Sequence, residues 1–248
     1  MTEHQSLRKD ETEFMTQNRE DLAPSTADNP VEPGYRKNWN PNEWYQETAI
    51  AEAYDKKRFS SLAGRTFDAL EKRALLKAFG GLPKGSTIID APCGTGRLAE
   101  TLLEAGYNVI GLDIAAPMLE VANRKLARFG DRFQSHVRDV RTLDPKEFQV
   151  DAVLCARVLM HFPLEEQVTF LRAVASLTEG PVVFNQSLST PWHRARRSFK
   201  RLLGNQTPAS YPLVNSEADQ LIADAGLKKT GSVSVQPLVS EARFWSCE

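Results

Sequence analysis

The sequence predicts an α/β fold, a mostly parallel sheet with helices on both faces and an antiparallel hairpin at its end. Three observations predict it. Short β-rich runs alternate with amphipathic segments from residue 87 onward. A glycine-rich turn joins the first of these runs to a helical pattern. The last two runs are separated only by LVSEA, too short for a crossover, so they pair antiparallel. Strands linked by helix-length segments need βαβ crossovers, which cover a parallel sheet on both sides.

The elements follow in order. Residues 1–45 are polar and proline-punctuated, with too few apolar side chains to offset the entropy of ordering, and read as a tail. Trp39, Trp44 and Tyr45 are its aromatic exceptions, placed either against the domain or at a substrate entrance. A domain then runs over 46–248. Its first part, 46–85, is a helical cap: Phe67, Leu70, Ala74, Leu75 and Ala78 recur at helical spacing before Gly80, Gly81 and Pro83 end the helix. Residues 86–187 form the half that binds a cofactor, with strands TIIDA (87–91), NVIGLD (108–113), SHVRDV (135–140), AVLCAR (152–157) and PVVFNQS (181–187). Amphipathic helices lie between them, marked by Met118, Leu119, Ala122 and Leu126, and by Leu164, Val168, Leu171 and Val174. A basic insert or lid spans 188–216, and a C-terminal helix with the strand pair SVSVQP (232–237) and ARFWSC (242–247) fills 217–248.

Composition excludes several classes. Lys and Arg number 31 against 32 Asp and Glu, so the net charge of −1 opposes general affinity for nucleic acid or anionic membrane. Cys93, Cys155 and Cys247 lie far apart, which suits neither a disulfide framework nor a metal site. No apolar run approaches the ~18 residues of a membrane span. The expected location is cytoplasmic.

The chemistry concentrates in Asp90-Ala-Pro-Cys-Gly94-Thr-Gly96-Arg. Glycines at 94 and 96 remove side chains where a ligand approaches backbone, at the N-terminus of a helix. Asp113 follows 19 residues after Gly94, at the end of the next strand, where a carboxylate can accept from both hydroxyls of a ribose. Gly94-x-Gly96-x-x-Ala99 also satisfies the dinucleotide fingerprint. A fixed negative charge at Asp90 would repel a pyrophosphate, however, and suits a cofactor carrying an ammonium and a sulfonium. A nicotinamide-dependent reductase is therefore the weaker reading.

The ordered strings D-x-P-C-G-T-G-R (90–97), G-L-D-I (111–114), P-M-L (117–119), R-D-V (138–140) and C-A-R-V-L-M-H-F (155–162) resemble the class I S-adenosylmethionine-dependent methyltransferases. The resemblance covers about residues 50–248 and implies a Rossmann-like, seven-stranded sheet whose final strand runs antiparallel. It implies S-adenosylmethionine as cofactor. Asp90 would sit near the methionine amino group, Gly94 and Gly96 beside the methionine and ribose, and Asp113 on the ribose hydroxyls. Ile114 and Met118 would sandwich adenine, Asp139 would accept from its amino group, and Val140 would lie beside the ring. Ala156 would contact the cofactor through backbone, and Tyr54 resembles an aromatic that related enzymes place near the methionine end. Pro92 departs from the commonest pattern, which has glycine there.

The acceptor is expected over the ends of the fourth and fifth strands, where Arg157, His161, Asn185 and Gln186 fall. His161 is the expected general base, since a histidine can titrate near neutrality, with Arg157 beside it. The alternative for His161 is a histidine that orders a loop. Arg58 and Arg65 lie seven apart and share a face if their helix runs unbroken, which would suit an anionic substrate group. The insert adds Arg194, Arg196, Arg197, Lys200 and Arg201 with no acidic residue. Of these, Arg194 and Arg197 are the named substrate contacts; an anionic membrane surface or plain solvent are the other readings. The expected activity is methyl transfer to O or N of a small-molecule, lipid-linked or glycan-linked acceptor. A cofactor-binding regulatory protein without transferase activity is the alternative.

Overall fold

The computed structural model describes residues 45–191, 195, 211–236 and 242–248. Residues 1–44 and most of the 188–216 insert, including Trp39, Trp44, Arg194 and Arg197, lie outside the described residues. Two helices, α1 (Thr48–Phe59) and α2 (Leu62–Ala78), precede the sheet. Then come β1 (Thr87–Asp90), α3 (Arg97–Glu104), β2 (Asn108–Asp113), α4 (Ala116–Leu126), β3 (Phe133–Val137) and β4 (Ala152–Cys155). The chain continues through α5 (Leu164–Ala175), β5 (Val182–Ser187), α6 (Asn215–Asp224), β6 (Lys229–Ser234) and β7 (Ala242–Cys247).

The seven strands form one sheet in the order β3-β2-β1-β4-β5-β7-β6. β1 to β5 are parallel, and β7 runs antiparallel to both β5 and β6. Rossmann-like topology and the antiparallel last strand are thus as the sequence predicts. Alternation along each strand splits the core in two. Ile89, Val153, Phe184 and Trp245 face the side covered by α5 and α6, through Leu171, Val174, Leu221 and Ile222. Ile88, Leu154, Val183 and Phe244 face α2 and α3, through Leu75, Leu98 and Leu102. A strand covered on both faces must read as a continuous apolar run, which is why TIIDA and AVLCAR look as they do. Each such side chain contributes about 1.5–3 kcal/mol, against ~0–1 for an exposed ion pair, so these layers carry the stability.

Three expectations are corrected. β3 spans 133–137 rather than 135–140, because its register with β2 ends at Asp113↔Val137 and Asp139 then caps a short 3₁₀ turn. β6 begins at Lys229 rather than residue 232, since its ladder on β7 starts at Lys229↔Cys247. The helical cap is broken: Ser61, in extended conformation, accepts from Gly64 N at 3.0 Å and starts α2 afresh. Arg58 and Arg65 therefore do not share one continuous helix. Arg65 is exposed and donates back to the Ser60 carbonyl at 2.8 Å.

Strand order reverses between β1 and β4, and that switch point is where open α/β sheets bind ligands, beyond the C-terminal ends of the strands. The glycine-rich turn lies there. Gly96 begins α3 at φ 72°, and a Cβ on it would sit 2.7 Å from Leu126 Cδ1 and 3.1 Å from Ala122 Cβ. Its bare backbone is required by packing of the turn on α4. Gly96→Ala is expected to cost ~2–4 kcal/mol, from the left-handed conformation plus overpacking, read as a lower urea midpoint.

Candidate functional site

A cleft opens at the switch point, beyond the C-terminal ends of β1, β2 and β4. Asp90 ends β1 on its floor. One of its oxygens, Oδ2, is buried with no hydrogen-bond partner. Burial pushes this carboxyl up to about 7; the Cys93 thiol and the Arg97 cation pull it down, and Asp113 pushes it further up. An unpartnered buried acceptor costs of the order of 1–3 kcal/mol, so the cleft is built to receive a donor there.

Asp113, at the end of β2, accepts from Gly94 N at 2.8 Å and from Ala115 N at 2.9 Å. It thereby braces the glycine-rich turn against the start of α4, one carboxylate oxygen to each. Burial raises it, and those backbone donors offset part of the rise. Gly94 has φ 56°, and a Cβ there would meet no atom within 4 Å. The space above Gly94 belongs to the cleft, whereas that above Gly96 is filled by α4. Ile114, Met118, Ala156 and Tyr54 also line the cleft. Asp139 and Val140 do not: the Asp139 carboxylate is held by Arg141 Nη2 at 2.6 Å, and Val140 is buried in the core.

The roof is α1. It packs Ala51 on Ala115 and Met118, while Thr95 Oγ1 donates to Asp55 at 2.9 Å and Gln46 Nε2 to the Ile114 carbonyl at 2.9 Å. Arg124 pairs with Glu52 across the same seam. Among the described residues no helix is long and apolar enough to cross a membrane, and no group of three or more His, Cys, Asp or Glu could hold a metal ion.

One side of the cleft is a buried ionic network that sequence reasoning missed. Glu71, fully buried on α2, pairs with Arg97 Nη2 at 2.5 Å and Arg157 Nη1 at 3.0 Å. Asp68 takes the other Arg97 nitrogen at 2.5 Å. Burial pushes the Glu71 carboxyl up, but the two guanidiniums more than offset this and hold it below the usual range. The signal for Glu71 was available: it stands inside the apolar stripe of Phe67, Leu70, Ala74 and Leu75, where a charge needs a partner.

Arg157 takes φ 65°, a left-handed conformation that costs about 1–2 kcal/mol outside glycine. Asn185 Oδ1 accepts from its N–H at 2.7 Å, and Asn185 Nδ2 donates to Glu71 at 3.1 Å. The Glu71 charge raises the Arg157 guanidinium despite its burial. Gln186 is likewise tied up internally, donating to Gln167 at 2.7 Å. His161 closes a short turn and lines the cleft. A second cavity, of about 1180 Å³, adjoins the first, with Arg157 on the wall of both. Arg58 and Asn185 line this second cavity; Arg65 lines neither.

The residues present suit S-adenosylmethionine. Asp90 offers its free oxygen to an ammonium, Asp113 retains lone pairs for ribose hydroxyls, and Ile114 and Met118 offer apolar faces for a base.

Residues 88–180 match a family model described as a methyltransferase domain. The chain is 29% identical over 170 residues to the magnesium-protoporphyrin O-methyltransferase of Synechocystis sp., covering 66% of this chain and 72% of that protein. It is 27% identical over 168 residues to a ubiquinone biosynthesis O-methyltransferase of Xanthomonas axonopodis pv. citri, 63% of each. Such matches span 51–72% of those relatives' lengths, a chloroplastic Arabidopsis thaliana magnesium protoporphyrin IX methyltransferase giving the lower figure. Among solved structures, the Synechocystis magnesium protoporphyrin IX methyltransferase with bound S-adenosylhomocysteine superposes with a TM-score of 0.66 at 20% identity, over 83% of this chain and 96% of that one. The Burkholderia thailandensis 1,6-didemethyltoxoflavin-N1-methyltransferase gives 0.62 at 20% identity, over 86% and 91%. At these identities the superpositions show a shared fold.

Proposed function

We propose that the chain is a class I S-adenosylmethionine-dependent methyltransferase that transfers the methyl group to an O or N atom of an anionic small molecule seated in the second cavity. One observation carries the reading: a cleft with an unpartnered buried carboxylate oxygen, Asp90 Oδ2, shares its Arg157 wall with a cavity large enough for an acceptor. When bound, the cofactor supplies a methyl already activated on sulfonium. The protein then has to orient the acceptor, exclude water and remove a proton.

Asp90, Gly94, Asp113, Ile114, Met118, Ala156 and Tyr54 are assigned to the cofactor. Asp139 and Val140, set back from the cleft, would have to reach the adenine edge by movement of the loop after β3, and Gly96 serves through the turn it completes. Arg157, kept charged by Glu71, acts as a fixed cation at the boundary. His161, on the cleft wall, is assigned as the proton acceptor. Asn185 holds Arg157 in place. The lipid-linked alternative rests on the basic run 188–216, most of which lies outside the described residues.

The reading is tested by incubating the protein with methyl-labelled S-adenosylmethionine and fractions of a cell extract. Label is expected in a small-molecule fraction; cofactor binding without label in any fraction would favour the regulatory alternative. The cofactor site has its own pH signature. An ammonium needs Asp90 ionised, and this carboxyl sits at about 7. S-adenosylhomocysteine affinity should therefore rise roughly tenfold between pH 6 and pH 8. Asp90→Asn should bind more weakly and without that slope. A flat profile in the unaltered protein removes Asp90 from the site.

A further inference from the structure

The second cavity carries a guanidinium, that of Arg58, with no carboxylate in ion-pair distance among the described residues. Among the described residues two cations line it, Arg58 and Arg157, and no Asp or Glu does. Arg157 pairs with Glu71, and Arg97 pairs with both Glu71 and Asp68. Arg58 donates only to the neutral Tyr54 hydroxyl, at 3.1 Å, and has no carboxylate within ion-pair distance among the described residues. The Tyr54 phenol registers the surplus: burial pushes it up, yet the Arg58, Arg157 and Arg97 cations bring it below the ordinary tyrosine range.

Two more groups on this wall lack partners. Arg157 Nε–H is a buried donor and Gln236 Oε1 a buried acceptor, each without a hydrogen bond. The same cavity is lined by the apolar side chains of Phe59, Phe67 and Met160. The Arg58 guanidinium suits an anionic group, and two phenyl rings with a thioether suit a flat apolar body.

We propose that the second cavity recognises a ring-containing carboxylic acid, with Arg58 reading the carboxylate and Gln236 accepting from an N–H or O–H on the ring. The proposal rests on the acceptor occupying this cavity. It makes Arg58 the residue that selects charged over neutral acceptors, through an ion pair made outside the cofactor cleft. Carboxylate and guanidinium match in planar, bidentate fashion.

The test uses the full chain with saturating S-adenosylhomocysteine, and three probes titrated by calorimetry: 2-naphthoate, its neutral isostere 2-naphthamide, and 2-naphthyl phosphate. Naphthoate is expected to bind at least about tenfold more tightly than the amide. Arg58→Gln should erase that preference, Arg58→Lys should keep part of it, and Lys57→Gln, an exposed charge change on the same helix, should leave it intact. Equal binding of acid and amide, a preference that survives Arg58→Gln, or no binding of any probe at millimolar concentration would overturn the proposal. Tighter binding of naphthyl phosphate than of naphthoate would overturn the carboxylate assignment. The comparison in unaltered protein decides even where Arg58→Gln fails to fold. Failure of S-adenosylhomocysteine itself to bind would strike the cofactor reading; binding of it without the acid preference would strike this inference alone.

Discussion

Replacing Glu71 with alanine is expected to lower the unfolding free energy by about 3–5 kcal/mol, because it strands two guanidiniums in a buried site. Arg97 and Arg157 both lose their shared partner, and Asn185 loses an acceptor for its amide. Urea denaturation at neutral pH measures the loss. Glu71→Gln keeps the shape and an acceptor, so its cost should be smaller. Acid unfolding supplies a second readout. Because the Glu71 carboxyl is held below its usual value when folded, its stabilisation is fully present above the unfolded value of ~4.3 and is lost as pH falls through the folded value. The unaltered protein should therefore lose stability below about pH 4.3 more steeply than Glu71→Gln. Equal slopes would show that the two arginines do not hold this carboxyl ionised.

Asp113→Ala is expected to weaken S-adenosylhomocysteine binding by at least about 100-fold. Hydrogen bonds to a charged acceptor contribute ~1.5–3 kcal/mol each, and two ribose hydroxyls are at stake, at ~1.4 kcal/mol per tenfold. The substitution also releases Gly94 N and Ala115 N, so the glycine-rich turn loses its brace to α4. Calorimetric titration of both variants separates the effects, since Asp113→Asn keeps an acceptor for the backbone. If Asp113→Ala binds within threefold of the unaltered protein, Asp113 is only a helix cap.

The cleft was legible in the sequence because its parts are local. A strand, a turn with two glycines and a carboxylate one strand later have fixed geometry in a parallel sheet, so Asp90, Gly94 and Asp113 could be placed by counting. The hairpin was equally readable, since LVSEA cannot cross over. Strand ends were less so: nothing in SHVRDV marks Val137 as its last paired residue, a limit set by the length of β2. The break at Ser60 and Ser61 carried a signal, an N-cap serine, which the charged helix around it outweighed. The second cavity was legible only in part: the strand ends placed Arg157, Asn185 and Gln186, and Arg58 was named for its charge, but the enclosure itself was not. Its wall joins the start of α2, the end of β5 and the β6–β7 turn, and only tertiary packing brings these together. Asn185 shows the same limit: its position on β5 was foreseeable, whereas its hold on Arg157 and Glu71 depended on a residue 114 positions away.

The two cavities draw on different stretches of the chain. Of the eighteen residues lining the first, sixteen fall within 88–180, all but Tyr45 and Tyr54. Of the thirteen lining the second, eleven fall outside it, all but Arg157 and Met160. Substitutions at those eleven positions can thus reshape the second cavity without altering a described residue of the first. Among the described residues only Arg157 belongs to both walls, so a change there reaches both cavities at once.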